Sequence, residues 1–234
     1  MHMDKPRAVT ATVDYRVGTA EALPRDEDAR LVLRNTYRLL SMALAFSALT
    51  AALSAALKLP HPGLLLTLGG YFGLLFLTTK LRNSAWGVLC VFALTGFMGY
   101  TLGPIIAAYL SIPGGQGIIT TAMSTTAAVF LGLSWLAHSR LAPDMGRYGS
   151  FLMVGILTAF GLGLAAYFFA MPILALAVSG MFVLLMSGLI LYQTQEIIRG
   201  GERNYIMATV TLFVAIYNLF ASLLHILGVL GGED

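Results

Sequence analysis

This 234-residue chain is poor in cysteine, in charge and in acidic side chains. Its single cysteine, Cys90, excludes a disulfide within one chain and any multi-cysteine metal site. Set inside an apolar stretch, Cys90 reads as a small packing residue. Charged residues make up 11% of the chain, where a soluble domain has about a quarter. Hydrophobic residues make up 58%, and the mean hydropathy is +0.81, so the composition is that of a membrane protein. The first 30 residues hold no apolar core, and no cleavable signal peptide is expected there. The chain also lacks His-Glu-x-x-His and Gly-x-Ser-x-Gly, so neither a metal site nor a hydrolase is expected.

The little charge there is has a pattern. Apolar stretches run near 39–57, 64–79, 84–110, 117–137, 150–169, 172–192 and 205–230. Several reach the ~20 residues needed to cross the hydrocarbon of a bilayer. Thirteen of the fourteen lysines and arginines lie before the first stretch or in every second gap after it, and Lys58 alone lies on the other side. The partition predicts an all-α integral membrane protein of seven transmembrane helices, with the N-terminus and the basic loops in the cytoplasm and the C-terminus outside. A pI near 9.1 then reflects anchoring charge spread over four segments, and no nucleic-acid partner is expected.

Residues 1–26 are polar, with Pro6, Gly18 and Pro24, and read as a disordered cytoplasmic tail ahead of a membrane domain over 27–234. Asp26 can cap a helix that leads into the first span. Arg30, Arg34 and Arg38 recur every four residues and form one basic stripe, suited to anionic headgroups or a protein partner. Gly69 with Gly73, and Gly99 with Gly103, are pairs at the spacing that lets helix backbones approach closely. Pro104 frees a backbone carbonyl one turn back, so a kink is expected in the third span.

Ionisable groups inside a bilayer are functional candidates. Glu196, just past the sixth stretch, either faces the bundle interior or pairs with Arg199 or the nearby loop. His225 either titrates or hydrogen-bonds locally. Ser222 lies three residues before it, but no oxyanion donor or third group is visible, so no catalytic residue is assigned. Asn218 sits mid-span, where an unpaired amide in hydrocarbon costs several kcal/mol. It must face protein, which predicts an interior last helix with polar bonds to its neighbours.

Several segments are specific in their wording. They are Leu33–Arg34–Asn35–Thr36–Tyr37, Gly96–Phe97–Met98–Gly99–Tyr100–Thr101–Leu102–Gly103–Pro104–Ile105, Tyr192–Gln193–Thr194, Ile198–Arg199–Gly200–Gly201–Glu202–Arg203–Asn204–Tyr205 and Tyr217–Asn218–Leu219–Phe220. Together they resemble the Bax-inhibitor family of membrane proteins, above all its bacterial branch associated with a membrane-bound AAA+ protease. The resemblance spans about Leu31 to Gly228. It implies six helices in two layers around a central seventh. It also implies a location in the bacterial inner membrane, and a non-enzymatic regulator as the function. Some members of the family are pH-dependent calcium leaks gated by an acidic pair on the sixth and seventh helices. Here those positions fall on Gln193 and Ala215, an amide and a methyl, which cannot share a titrating proton or offer a carboxylate to Ca²⁺. Ca²⁺ therefore enters only through an alternative, a cation leak with altered or lost pH gating, along a polar interior of Gln193, Glu196, Asn218 and His225. No bound cofactor is expected.

Overall fold

A computed structural model describes residues 23–139 and 141–231. The tail residues 1–22, Arg140 and the terminal residues 232–234 lie outside the described residues. Among the described residues seven helices run in order: α1 Leu23–Ala56, α2 Leu64–Leu81, α3 Ala85–Leu110, α4 Gly115–His138, α5 Gly149–Phe168, α6 Pro172–Ile198 and α7 Tyr205–Leu230. A 3₁₀ turn, Met145–Arg147, interrupts the α4–α5 connection. All seven helices are long and apolar enough to cross a membrane.

α1 is one helix of 34 residues, about 51 Å long, against a hydrocarbon core of about 30 Å. It begins one turn ahead of Asp26, which therefore lies within the helix rather than capping it. Its buried side steps through Thr36, Leu40, Ala43, Ser47, Ala51 and Ser54, a stripe of mostly small residues pressed on α3. α3 meets this stripe with Gly99 and Gly103. A Cβ on Gly99 would strike Thr50 Oγ1 and the Ser47 carbonyl, and one on Gly103 would strike the Ser54 side chain. With no hydrophobic drive between helices in lipid, such close backbone contact and interhelical hydrogen bonds hold the pair. Pro104 sits within α3 and has no N–H for the Tyr100 carbonyl. Ser54 Oγ supplies the missing donor across the interface, at 3.0 Å.

The other glycine pair does not pack. Gly69 and Gly73 have open space where a Cβ would stand, and it is Gly70 that receives the Phe97 ring. α2 packs chiefly on α3 and buries only Thr78. α7 is the opposite case and packs on α1, α3, α4 and α6. Its Leu212, Phe213, Ala215 and Leu219 are fully enclosed among Leu40, Leu94 and Ile190. Polar bonds reach it from three neighbours besides packing: Thr209 Oγ1 donates to Thr36 O of α1 at 3.3 Å, the Tyr217 hydroxyl lies 3.3 Å from that of Thr101 on α3, and His225 Nδ1 lies 2.7 Å from Ser179 Oγ of α6.

Candidate functional site

Every second loop lies at the same end of the bundle, together with the first turns of α1. This is the basic end. Arg30, Arg34 and Arg38 are all exposed there, along one side of α1. About 120° around the same helix, Asp28, Val32 and Asn35 face the α6–α7 loop. Between them lies a cleft of about 670 Å³, closed on the far side by Arg199, Gly200, Glu202 and Arg203. Its walls carry both signs of charge beside Leu31 and Val32.

The cleft wall is built by specific local chemistry. α6 ends on Gly200 at φ 74°, a left-handed turn that glycine adopts without strain. The N–H groups of Gly201 and Glu202 then close on the Glu196 carbonyl at 2.9 and 3.1 Å. α7 starts on Asn204, whose side-chain oxygen accepts from Ile206 N and Met207 N at 3.0 and 3.1 Å. The same side chain donates to Arg82 O and Asn83 Oδ1, at 3.0 and 2.9 Å, and so ties the α6–α7 loop to the α2–α3 loop. Gln195 does the equivalent for the α4–α5 loop. Its Oε1 accepts from Met145 N at 3.0 Å and its Nε2 donates to Pro143 O at 2.9 Å. Arg199 adds an ion pair with Asp144. That hydrogen bond, then one from Gly146 N–H, then the charge of Arg199, holds the Asp144 carboxyl below the usual carboxylate range.

Glu196 keeps one expected neighbour, the α6–α7 loop, and departs from expectation in its place on the helix and in its ion pairing. Helix α6 continues to Ile198, so Glu196 is half-buried inside the helix rather than past its end. Arg199 pairs with Asp144 and not with Glu196, whose carboxylate lies beside Gly201. Gln193 is buried on the same helix, and its Nε2 has no partner. Thr36 Oγ1, Tyr37 Oη, Ser134 Oγ and Ser139 Oγ are likewise buried without partners, all in the basic-end half of the bundle. Ala215 is fully enclosed on α7. Asn218 is half-buried, and the bond it makes is to its own helix: Nδ2 donates to Val214 O at 2.8 Å. It does not bridge to a neighbour, as its hydroxyl-bearing neighbour Tyr217 does. His225 stands toward the far end of α7, with Nδ1 2.7 Å from Ser179 Oγ of α6, and not on Ser222. The structure therefore does not gather Gln193, Glu196, Asn218 and His225 into one cluster; they are spread along α6 and α7. Among the described residues no three His, Cys, Asp or Glu side chains come together as a metal site.

Sequence reasoning missed the joining roles of Asn204 and Gln195. An asparagine directly before an apolar run is a helix-start signal, and Asn204 precedes Tyr205 in that way. Gln195 had no comparable local signal, because its partners lie 50 and 52 residues away.

A family model described as inhibitor of apoptosis-promoting Bax1 matches residues 29–232. An uncharacterized Pseudomonas aeruginosa protein is 52% identical over 221 residues, covering 94% of this chain and 98% of its own. The Escherichia coli K12 protein named modulator of FtsH protease YccA is 51% identical over 198 residues, covering 84% and 89%. A protein of a second Escherichia coli strain, matched at the same identity and coverage, is named inner membrane protein YccA. This multi-pass inner-membrane protein belongs to the Bax-inhibitor family.

Proposed function

We propose that the protein is a non-enzymatic regulator that modulates a membrane-bound AAA+ protease complex. The observation that carries this reading is the 51% identity, over 84% of the chain, to a protein named modulator of FtsH protease. The geometry of the basic end supports it. Asn204, Gln195 and the Arg199–Asp144 pair join three loops into one surface, and α1 closes a cleft against it. A surface preordered in this way loses little conformational freedom on binding a protein partner. In the same reading the basic end is cytoplasmic, by the distribution of lysine and arginine, and six helices lie in two layers around α7. The contacts of α7 with α1, α3, α4 and α6 support that arrangement. Gln193 and Ala215 remain non-acidic gate positions, and Arg30, Arg34 and Arg38 a stripe available to lipid or partner.

A photo-crosslinking amino acid at Leu31, on the cleft, tests the proposal in intact inner membranes. The expected result is a crosslinked band containing the AAA+ protease. Capture should weaken when Arg199 and Arg203 are both changed to Ala. Absence of the protease from all crosslinked material, while the same probe on a known protease partner captures it, would overturn the reading.

A further inference from the structure

We infer a lateral binding site for an uncharged single-chain amphiphile, taken directly from the bilayer. The site is a cavity of about 300 Å³ at mid-depth, bounded by α2, α3, α5, α6 and α7. It exists because α2 packs on α3 while α5 packs on α6, and these two outer helices leave a gap between them. One aromatic contact spans the gap: the Phe72 and Phe160 rings stand edge to face, with centroids 5.9 Å apart. Phe72 and Leu157 line the cavity, yet they are 48% and 62% exposed on the outer surface of the bundle. The cavity therefore opens sideways, where the surroundings are hydrocarbon.

Its lining is mostly apolar, with Thr67 and Tyr71 on α2 and a polar group on α3 and α7 that forms its floor. Thr101, Tyr217 and Asn218 meet there. The Asn218 amide spends one N–H on Val214 O, and its carbonyl oxygen and second N–H are left for an occupant. Tyr217 and Thr101 share a long bond of 3.3 Å, which leaves acceptor capacity on both oxygens. In a medium without water these groups favour a ligand that brings a hydrogen-bonding head to meet them. A charged head is excluded, because carrying it to mid-bilayer is costly and no opposite charge lines the cavity. The volume matches about ten water-sized units, and pockets of this size lie at the small end of ligand sites. A hydroxyl or carbonyl at the end of an alkyl chain fits all three features: the head meets the floor, the first part of the chain fills the cavity, and the rest leaves between Phe72 and Leu157.

A diazirine-bearing hexadecanol, applied to the full-length protein in liposomes and mapped by mass spectrometry, tests the site. Labels are expected on the cavity-lining parts of α2, α5 and α7. Unlabelled hexadecanol should compete about fivefold better than hexadecane, the value of one retained hydrogen bond. Leu157→Trp adds bulk at a lipid-exposed mouth position, which leaves folding intact, and should cut the labelling about fivefold or more. Asn218→Leu should remove the preference for the alcohol over the alkane. Labelling spread evenly over lipid-facing residues and indifferent to Leu157→Trp would overturn the site. Cavity labelling with equal competition by alkane and alcohol would overturn recognition of the head.

Discussion

Asn204 joins two segments of the basic end through one side chain. Its oxygen caps α7, and its nitrogen holds the α2–α3 loop. Asn204→Ala removes the cap and leaves both loop partners without their donor. A lost cap costs about 1 kcal/mol, and the two lost bonds about 1 kcal/mol each. We expect a clear fall in melting temperature in detergent, while Asn83→Ala, which removes one partner only, falls by less. Equal melting of wild type and Asn204→Ala would show that the cap and bridge are dispensable. Asp144 offers a second test, with a definite sign. Its carboxyl titrates below the ordinary range because Arg199 and the Gly146 N–H favour the charged form. A depressed native pKa contributes stability above the unfolded value of about 3.9, and that contribution is lost as pH falls through the lower native value. Wild type should therefore melt higher than Asp144→Asn at neutral pH, and the difference should close in acid. Because the pair is exposed, the difference will be small and should shrink in high salt. A gap that widens as pH falls would contradict the assignment.

The element scale is set by which glycines touch another helix. Gly99 and Gly103 lie against the backbone and hydroxyls of α1, where an added side chain has no room. Gly99→Leu should destabilise the bundle by about 1–3 kcal/mol, the range for overpacking, and by more if α1 is displaced. Gly73→Leu should be near neutral, since only open space faces it. Thermal melting of the two variants side by side checks the contrast, and equal losses would refute it. The same pair shows what was legible in the sequence. All four glycines share one spacing, and spacing alone cannot say which pair meets protein. In a membrane both faces of a helix are apolar, so hydropathy does not separate the packed side from the lipid side. Helix positions were legible, because a run such as 205–230 is bounded by polar residues. The basic end of α6 was not. Gln193, Thr194, Gln195 and Glu196 end the apolar run at 192, yet the helix continues to Ile198, with Gln193, Thr194 and Gln195 buried. Gln195 is buried there without cost because the α4–α5 loop satisfies its amide, a contact no local pattern announces. The cleft and the lateral cavity were hidden for the same reason, since each is walled by helices distant in sequence.

At the scale of the whole molecule, the distribution of charge bears on which way the bundle faces. Thirteen of fourteen basic residues fall in alternate segments, and only Lys58 opposes them. Each basic residue resists translocation, so the orientation proposed above retains those segments on the cytoplasmic side. The chain is well suited to a direct test because its one cysteine, Cys90, is buried. In a Cys90→Ala background, Ser111→Cys and Leu141→Cys place single thiols in consecutive loops, at positions that are exposed. A membrane-impermeant maleimide added to cells with a permeabilised outer membrane should label the cysteine at 111 and spare the one at 141. After lysis both should react. The opposite pattern would place the cleft, the Arg30–Arg34–Arg38 stripe and the joined loops outside the cell. A cytoplasmic AAA+ motor could not reach them there, so the regulatory proposal depends on this orientation, whereas the lateral amphiphile site, lying at mid-bilayer, is the same in either.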